Sequence, residues 1–139
     1  LNAGHELAVL AAVARSEGTA MERLADAVRV FALRAVRARR LAWAMIAEPA
    51  EPEVDAARLA SRRAFADVFE GLITNGIAAG DFPPQNARLA AAGLIGALTE
   101  GLIGPLAQDA DHQPDAAALA RDVTAFCLQA VSARPYKES

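Results

Sequence analysis

Few residues of this sequence combine the types and the spacing that catalysis or metal binding requires. The two histidines, His5 and His112, are far apart in the chain, and neither lies in a ligand spacing such as His-x-x-x-His. Asp109 and Asp111 are close enough to His112 to share a metal, but a polar loop in water explains all three side chains without one. The single cysteine, Cys127, falls in one apolar arc of its helix together with Phe126, and we expect a buried thiol rather than a nucleophile. We therefore predict that the chain is not an enzyme and has no metal site and no cofactor.

Two charged residues interrupt helix faces that are otherwise apolar. Arg62 falls between Phe69 and Ile73 on the helical wheel. There it either extends to water, acts as a polar anchor in a pocket, or pairs with a buried carboxylate. Glu100 follows Thr99 in the apolar run LIGALTEGLIGPL. Burying a carboxylate without a partner is unfavourable, so Glu100 is expected in an ion pair between helices or subunits, at a solvent-facing edge, or in a pocket.

Composition limits the possible classes of protein. The chain has 139 residues, 54% of them hydrophobic, which is enough to bury the core of one domain spanning residues 1–139. Its net charge of −3 argues against direct nucleic-acid binding by these residues. The arginines between positions 29 and 40 and the acids between 48 and 55 are interpreted as solvated faces rather than an anion-binding patch. One cysteine and no apparent signal peptide or membrane span favour the cytoplasm and no membrane partner.

Hydrophobic periodicity predicts an all-α domain of about six helices and no sheet. Thr19 and Glu22 form a capping-box pair at the start of the second helix, Gly80 ends a long helix, and Asn86 begins the next one. The only tryptophan, Trp43, is equally consistent with a pocket wall and with ordinary core. The predicted helices cover residues 4–17, 20–38, 41–47, 54–79, 87–107 and 115–133.

The predicted helix at residues 87–107 carries two different packing surfaces. Its leucine-rich side can bury apolar area within the domain, whereas its small-residue side allows another helix backbone to approach closely. Glycines inside a helix are unfavourable by roughly 0.5–1 kcal/mol each, so close packing against them is the expected compensation. The small residues that share one side are Ala90, Gly93, Ala97, Gly101 and Gly104.

Three segments resemble the C-terminal regulatory domain of tetracycline-repressor (TetR) family transcriptional regulators. They read RRLAWAMIAEPAEPEVDAARLASRRAFADVFEGLI, NGIAAGDFPPQNARLAAA and GLIGALTEGLIGPLA, and the resemblance extends over about residues 20 to 133. It implies a homodimer in which the last two long helices form a four-helix bundle with their copies. It also implies a pocket for a small apolar or amphipathic effector, whose binding alters the affinity of N-terminal helix-turn-helix domains for operator DNA. No helix-turn-helix precedes the first helix of this chain, so DNA binding is expected only of the parent protein.

The resemblance assigns two sets of residues. Arg62 or Thr99 would orient the effector in the pocket. The alternative to an effector-binding domain is a stand-alone helical dimerisation or scaffold domain with a filled core and no pocket. The predicted pocket consists of Phe31, Trp43, Arg62, Phe65, Phe69, Ile73, Leu98 and Thr99. The predicted dimer interface consists of Ala90, Gly93, Ala97, Glu100, Gly101, Gly104, Leu119, Val123 and Phe126.

Overall fold

A computed structural model describes residues 3–37, 51–103 and 116–138, and within them all regular secondary structure is α-helix. The all-α prediction is thus confirmed for these residues. The predicted helical stretch at 41–47, Trp43, Gly104, the polar loop with His112, and the part of the predicted helix 87–107 beyond residue 103 lie outside the described residues. The five helices are α1 (Ala3–Ala14), α2 (Ala20–Arg37), α3 (Pro52–Ala79), α4 (Ala87–Leu102) and α5 (Ala116–Ser132).

The turn between α1 and α2 is built by local hydrogen bonds. The Thr19 hydroxyl accepts from the Glu22 backbone N–H at 3.1 Å, and the Glu22 carboxylate accepts from the Thr19 N–H at 3.3 Å, which confirms the capping box. Gly18 has φ +123°, a conformation that L side chains rarely adopt. The prediction that α1 continues to residue 17 is wrong, since the helix ends at Ala14, where Arg23 Nη1 donates to the last carbonyl at 3.0 Å.

The boundaries of α3 and α4 also follow from capping chemistry. Pro52 lies in the first turn of α3, where its missing N–H removes no helical hydrogen bond. The helix therefore begins before residue 54, the predicted start. At its other end, Gly80 adopts the left-handed conformation with φ 82°. Asn86 caps α4 by accepting the Leu89 N–H at 3.0 Å, as predicted.

Helix α2 is the central element of the domain. It contacts α1, α3, α4 and α5, so the other described helices surround it. Alanines on α2 allow its neighbours to pack closely, while larger side chains from α3 and α4 fill the remaining space. The fully buried side chains of these three helices are Leu24, Ala27, Val28, Ala32, Phe69, Ile73, Leu98 and Leu102.

The segment at residues 80–86 holds three helices together. The phenyl ring of Phe82 is buried against the α3 backbone at Gly76, where an added Cβ would lie 2.2 Å from Phe82 Cδ2. The carboxylate of Asp81 accepts from the Met21 N–H at 3.2 Å, at the start of α2. Gln85 Nε2 donates to the Val131 carbonyl of α5 at 2.7 Å. This segment therefore fixes the end of α3 against the start of α2 and the last turns of α5.

A bidentate ion pair joins α1 to α2. Arg34 Nη2 donates to one oxygen of Glu6 at 2.8 Å, and Arg34 Nε donates to the other. Hydrogen bonding to Arg34 lowers the pKa of Glu6 against the opposing effect of partial burial. This contact is the main polar link between the first helix and the central one.

The lowered pKa of Glu6 predicts that stability depends on pH. Because the folded pKa is below the unfolded value, near 4.5, the pair stabilises the fold above that pH and its contribution is lost as pH falls through the folded pKa. Glu6→Gln should therefore lower the free energy of unfolding at neutral pH, with a difference from wild type that shrinks as the pH falls below 4.5 and through the folded pKa. Urea unfolding across this range measures it. Glu17→Gln, at an exposed position, is the control, and an equal loss at all pH values would contradict the prediction.

Candidate functional site

Helices α4 and α5 pack together and form an open groove of about 440 Å³ on their exposed side. Its walls are small or apolar, with two carboxylates at the edge. Five of its lining residues belong to the predicted dimer interface, and the sequence prediction missed the sixth, Asp122. The residues that line the groove are Ala97, Glu100, Gly101, Asp122, Val123 and Phe126.

An exposed stripe runs along α4 beside this groove. Leu89, Gly93, Gly96 and Glu100 are all exposed and follow one another at intervals of three or four residues, which places them on one helix face. A Cβ added at Gly93 or Gly96 would meet nothing within 4 Å, so no other part of the described chain covers the α4 backbone at these two glycines. Leu89 and Gly96 were absent from the predicted interface, although the helical spacing that found Gly93 also includes them.

The predicted small-residue side of α4 divides between two environments. Gly93 is exposed, whereas Ala90, Ala97 and Gly101 are half-buried. A Cβ added at Gly101 would lie 3.7 Å from Val123 Cγ2 of α5 in the same chain. One end of the small-residue side thus packs on the final helix, and the other is open to solvent.

Helix α5 has one buried side and one exposed phenyl ring. Cys127 is buried, as predicted, and burial raises the pKa of its thiol to about 11, which keeps it protonated at neutral pH. Leu119 and Val123 are half-buried beside the core. Phe126 is 61% exposed, although the sequence pattern placed it in the same arc as Cys127. An exposed phenyl ring next to a groove marks a surface suited to contact with another molecule.

Three of the predicted pocket residues form an aromatic cluster between α2 and α3. The ring of Phe31 lies 5.4 Å from that of Phe65 and 6.1 Å from that of Phe69, with interplanar angles of 84° and 64°. Such edge-to-face pairs are favourable beyond the area they bury. Phe69 is fully buried, while Phe31 and Phe65 are half-buried and form the outer part of the cluster.

The other predicted pocket residues lie in different environments. Ile73 and Leu98 are fully buried in the core, and Thr99 is half-buried. Arg62 is exposed, which matches the alternative in which its side chain extends to water. The structure therefore brings the aromatic residues together but does not place the guanidinium of Arg62 in the interior.

The described residues contain neither a metal-binding group of side chains nor a membrane-spanning helix. No three of their His, Cys, Asp and Glu side chains are grouped so that they could hold a metal ion. None of the helices among residues 3–37, 51–103 and 116–138 has the length and apolar character needed to span a membrane.

Comparison with known proteins places these helices in a family. The model of a family described as the C-terminal domain of tetracyclin repressor-like proteins matches residues 17–101. The chain belongs to this tetracycline-repressor family. The match includes α2, α3 and nearly all of α4, and with them the capping box, the 80–86 segment and the aromatic cluster.

A solved structure has the same fold as this tetracycline-repressor domain. It is the crystal structure of a transcriptional regulator of the TetR/AcrR family from Thermobifida fusca YX-ER1, with a TM-score of 0.78 and 18% sequence identity. The alignment covers 91% of this chain but 66% of the other, so this chain spans about two thirds of that regulator's length. A search of curated proteins finds no match. The sequence resemblance to the C-terminal domain of the tetracycline-repressor family is thus confirmed.

Proposed function

We propose that this tetracycline-repressor domain binds a small effector and forms a homodimer within a bacterial transcriptional regulator. Effector binding would alter the DNA affinity of helix-turn-helix domains that precede it in the parent protein. The observation that carries the proposal is the α4–α5 surface, where a bare glycine stripe, an open groove and the exposed ring of Phe126 lie together. Dimers that bind DNA and small effectors are general to the family.

The α4–α5 surface has the features that a two-fold interface needs. In a two-fold dimer the same patch lies on both subunits, so the patch must contain both a concave and a convex part. The groove beside Ala97 is concave, and Phe126 is a large apolar side chain at its wall. Pairing two copies of α4 and α5 would cover Phe126 and the 68% exposed Leu89, and would bring helix backbones close at Gly93.

The aromatic cluster is the proposed effector site. Phe31 and Phe65 supply half-buried apolar rings on α2 and α3, and Thr99 on α4 is a half-buried hydroxyl. Trp43 remains a predicted member of this site. Arg62, which is exposed, would act as an orienting group only at the rim. These features suit an apolar or amphipathic molecule with few hydrogen-bonding groups.

Coupling between effector and dimer would pass through the packing of α3 on α4. The two helices are in extensive contact, and α4 carries buried leucines on one side and the exposed glycine stripe on the other. An effector can shift the dimer only through a difference in its affinity for two arrangements of the helices. Binding of an effector would move α3 at Phe65, and this movement would change the position of the α4–α5 surface.

A ligand-stabilisation screen tests the effector site. A true effector present at about 100 times its dissociation constant should raise the free energy of unfolding by ~2.7 kcal/mol. Phe65→Ala should weaken binding of that compound by at least about tenfold, because a phenyl contact is lost. Tyr136→Ala, which removes an exposed aromatic side chain in the C-terminal tail, should leave binding unchanged.

The same screen decides between the two candidate functions. If no hydrophobic compound stabilises the domain, a dimerisation domain with a filled core is the better description. Equal binding to wild type and to Phe65→Ala would place the effector away from the aromatic cluster.

A further inference from the structure

A second groove, of about 460 Å³, lies where α1, α2 and α3 meet. It shares no residue with the aromatic cluster or with the α4–α5 groove. Part of its lining is apolar, from Ala11 and Ala14 on α1 and from Val68 and Leu72 on α3. Gly71 leaves the α3 side of the groove open, since a Cβ there would meet nothing within 4 Å. The volume and this lining suit a small organic molecule.

The polar part of this groove is positively charged. Arg15 and Arg23 contribute two guanidinium groups, Asp67 contributes one carboxylate, and Asn75 contributes a neutral amide. The groove therefore carries a net charge of about +1, counting Arg as charged and Asp as ionised at neutral pH. Within the described part of the chain, neither Arg15 nor Asp67 forms an ion pair with another side chain.

Arg23 has a donor that the fold leaves unused. Its Nη1 donates to the Ala14 carbonyl at 3.0 Å, which fixes the guanidinium at the end of α1. Its Nε is buried and has no hydrogen-bond partner in the described structure. Buried donors are almost always paired, so an unpaired guanidinium nitrogen beside a groove needs an acceptor. The Nε and Nη2 edge of a guanidinium is the fork that binds a carboxylate through two parallel hydrogen bonds.

We infer that this groove binds a small organic monocarboxylate. The carboxylate would lie between Arg23 and Arg15. A small rotation of the Arg23 guanidinium, whose Nε is closed to solvent in the unliganded domain, would let the carboxylate accept from that Nε. A short aliphatic or aromatic body would cover Ala14 and Val68, and Asn75 would offer one further hydrogen bond. A dianion such as phosphate fits less well, because Asp67 repels its second charge and phosphate has no body for the apolar wall. The inference stands whether or not the aromatic cluster binds an effector, because the two sites share no residue.

Titration of the ¹⁵N-labelled chain with hexanoate at constant ionic strength tests this inference. We expect saturable shifts of the amides of Gly71 and Asn75, with the uncharged analogue hexanamide binding at least about tenfold more weakly. Inorganic phosphate should produce no saturable shift at these amides. Binding of hexanoate with its shifts centred on Phe31 and Phe65 would assign the carboxylate to the aromatic cluster and overturn the inference.

Two substitutions with opposite expected effects sharpen the test. Arg15→Gln at an exposed position should weaken hexanoate binding by up to about fivefold, whereas Asp67→Asn should tighten it by a similar factor because a repulsion is removed. Arg121→Gln on α5 makes the same charge change away from the groove and should have no effect. Equal affinity of wild type, Arg15→Gln and Asp67→Asn, or equal binding of hexanoate and hexanamide, would refute a carboxylate site.

Discussion

Gly76→Ala is expected to lower the free energy of unfolding by about 3 kcal/mol, because the added methyl group would overlap the edge of the buried Phe82 ring. An added Cβ would lie 2.2 Å from Cδ2 and 2.4 Å from Cε2 of Phe82. The ring has no free space to move into, because Phe82 is buried and its backbone N–H is bonded to the Gly76 carbonyl at 3.2 Å. Urea unfolding monitored by circular dichroism measures the loss.

Gly71→Ala is the matched control because it makes the same change in the same helix. Nothing lies within 4 Å of a Cβ at Gly71, so only helix propensity changes and we expect a gain of roughly 0.5–1 kcal/mol. The two substitutions should thus have opposite signs. In a Phe82→Ala background the loss from Gly76→Ala should largely disappear, because the clash has been removed. A similar loss in both backgrounds would show that the ring is not its cause.

Phe126→Arg is expected to convert the homodimer proposed above into a monomer. The substitution replaces an exposed phenyl ring at the α4–α5 groove by a charged side chain, and removing a central aromatic contact from an interface weakens it by about 2 kcal/mol or more. That corresponds to at least about thirtyfold in the dimer dissociation constant. Sedimentation equilibrium should then give the 14.5 kDa mass of one chain instead of twice that mass.

Leu59→Arg is the control for Phe126→Arg. Leu59 is 48% exposed on α3, outside the α4–α5 surface, so the same kind of change there should leave the dimer intact. Ala97→Arg places a long charged side chain in the groove itself and should dissociate the dimer as Phe126→Arg does. Unaltered helix content by circular dichroism separates dissociation from unfolding. A dimer that persists in both groove variants would place the interface elsewhere.

Most of the fold was predictable because its boundaries rest on local chemistry. A capping box needs only two residues three positions apart, so Thr19 and Glu22 can be recognised from the sequence alone. A helix C-terminus in the left-handed conformation needs only a glycine, so Gly80 can be recognised in the same way. The apolar periodicity of a helix is equally local. It put Leu98 on the leucine-rich side of α4, and the structure buries this residue in the core instead of leaving it open to a pocket.

What the sequence could not provide are contacts between distant segments. Glu6 with Arg34 and Asp81 with Met21 join residues 28 and 60 positions apart, and periodicity within one helix carries no information on such pairs. The same limit applies to the candidate sites. A helical wheel put Phe126 and Cys127 in one arc, but only the position of α2 against α5 decides that the thiol is buried and the ring exposed.

The close packing of the Phe82 ring on the α3 backbone at Gly76 restricts how α3 can move as a rigid body. Sliding along its axis would drive the helix backbone into the ring, so the end of α3 near Gly76 acts as a fixed pivot and the helix can only tilt about it. At 1.5 Å per residue, Pro52 lies about 36 Å from this pivot. A tilt of about 5° therefore displaces the first turn of α3 by roughly 3 Å, while the end of α3 next to residues 80–86 hardly moves. Any tilt of α3 about Gly76 would therefore be largest at its N-terminus.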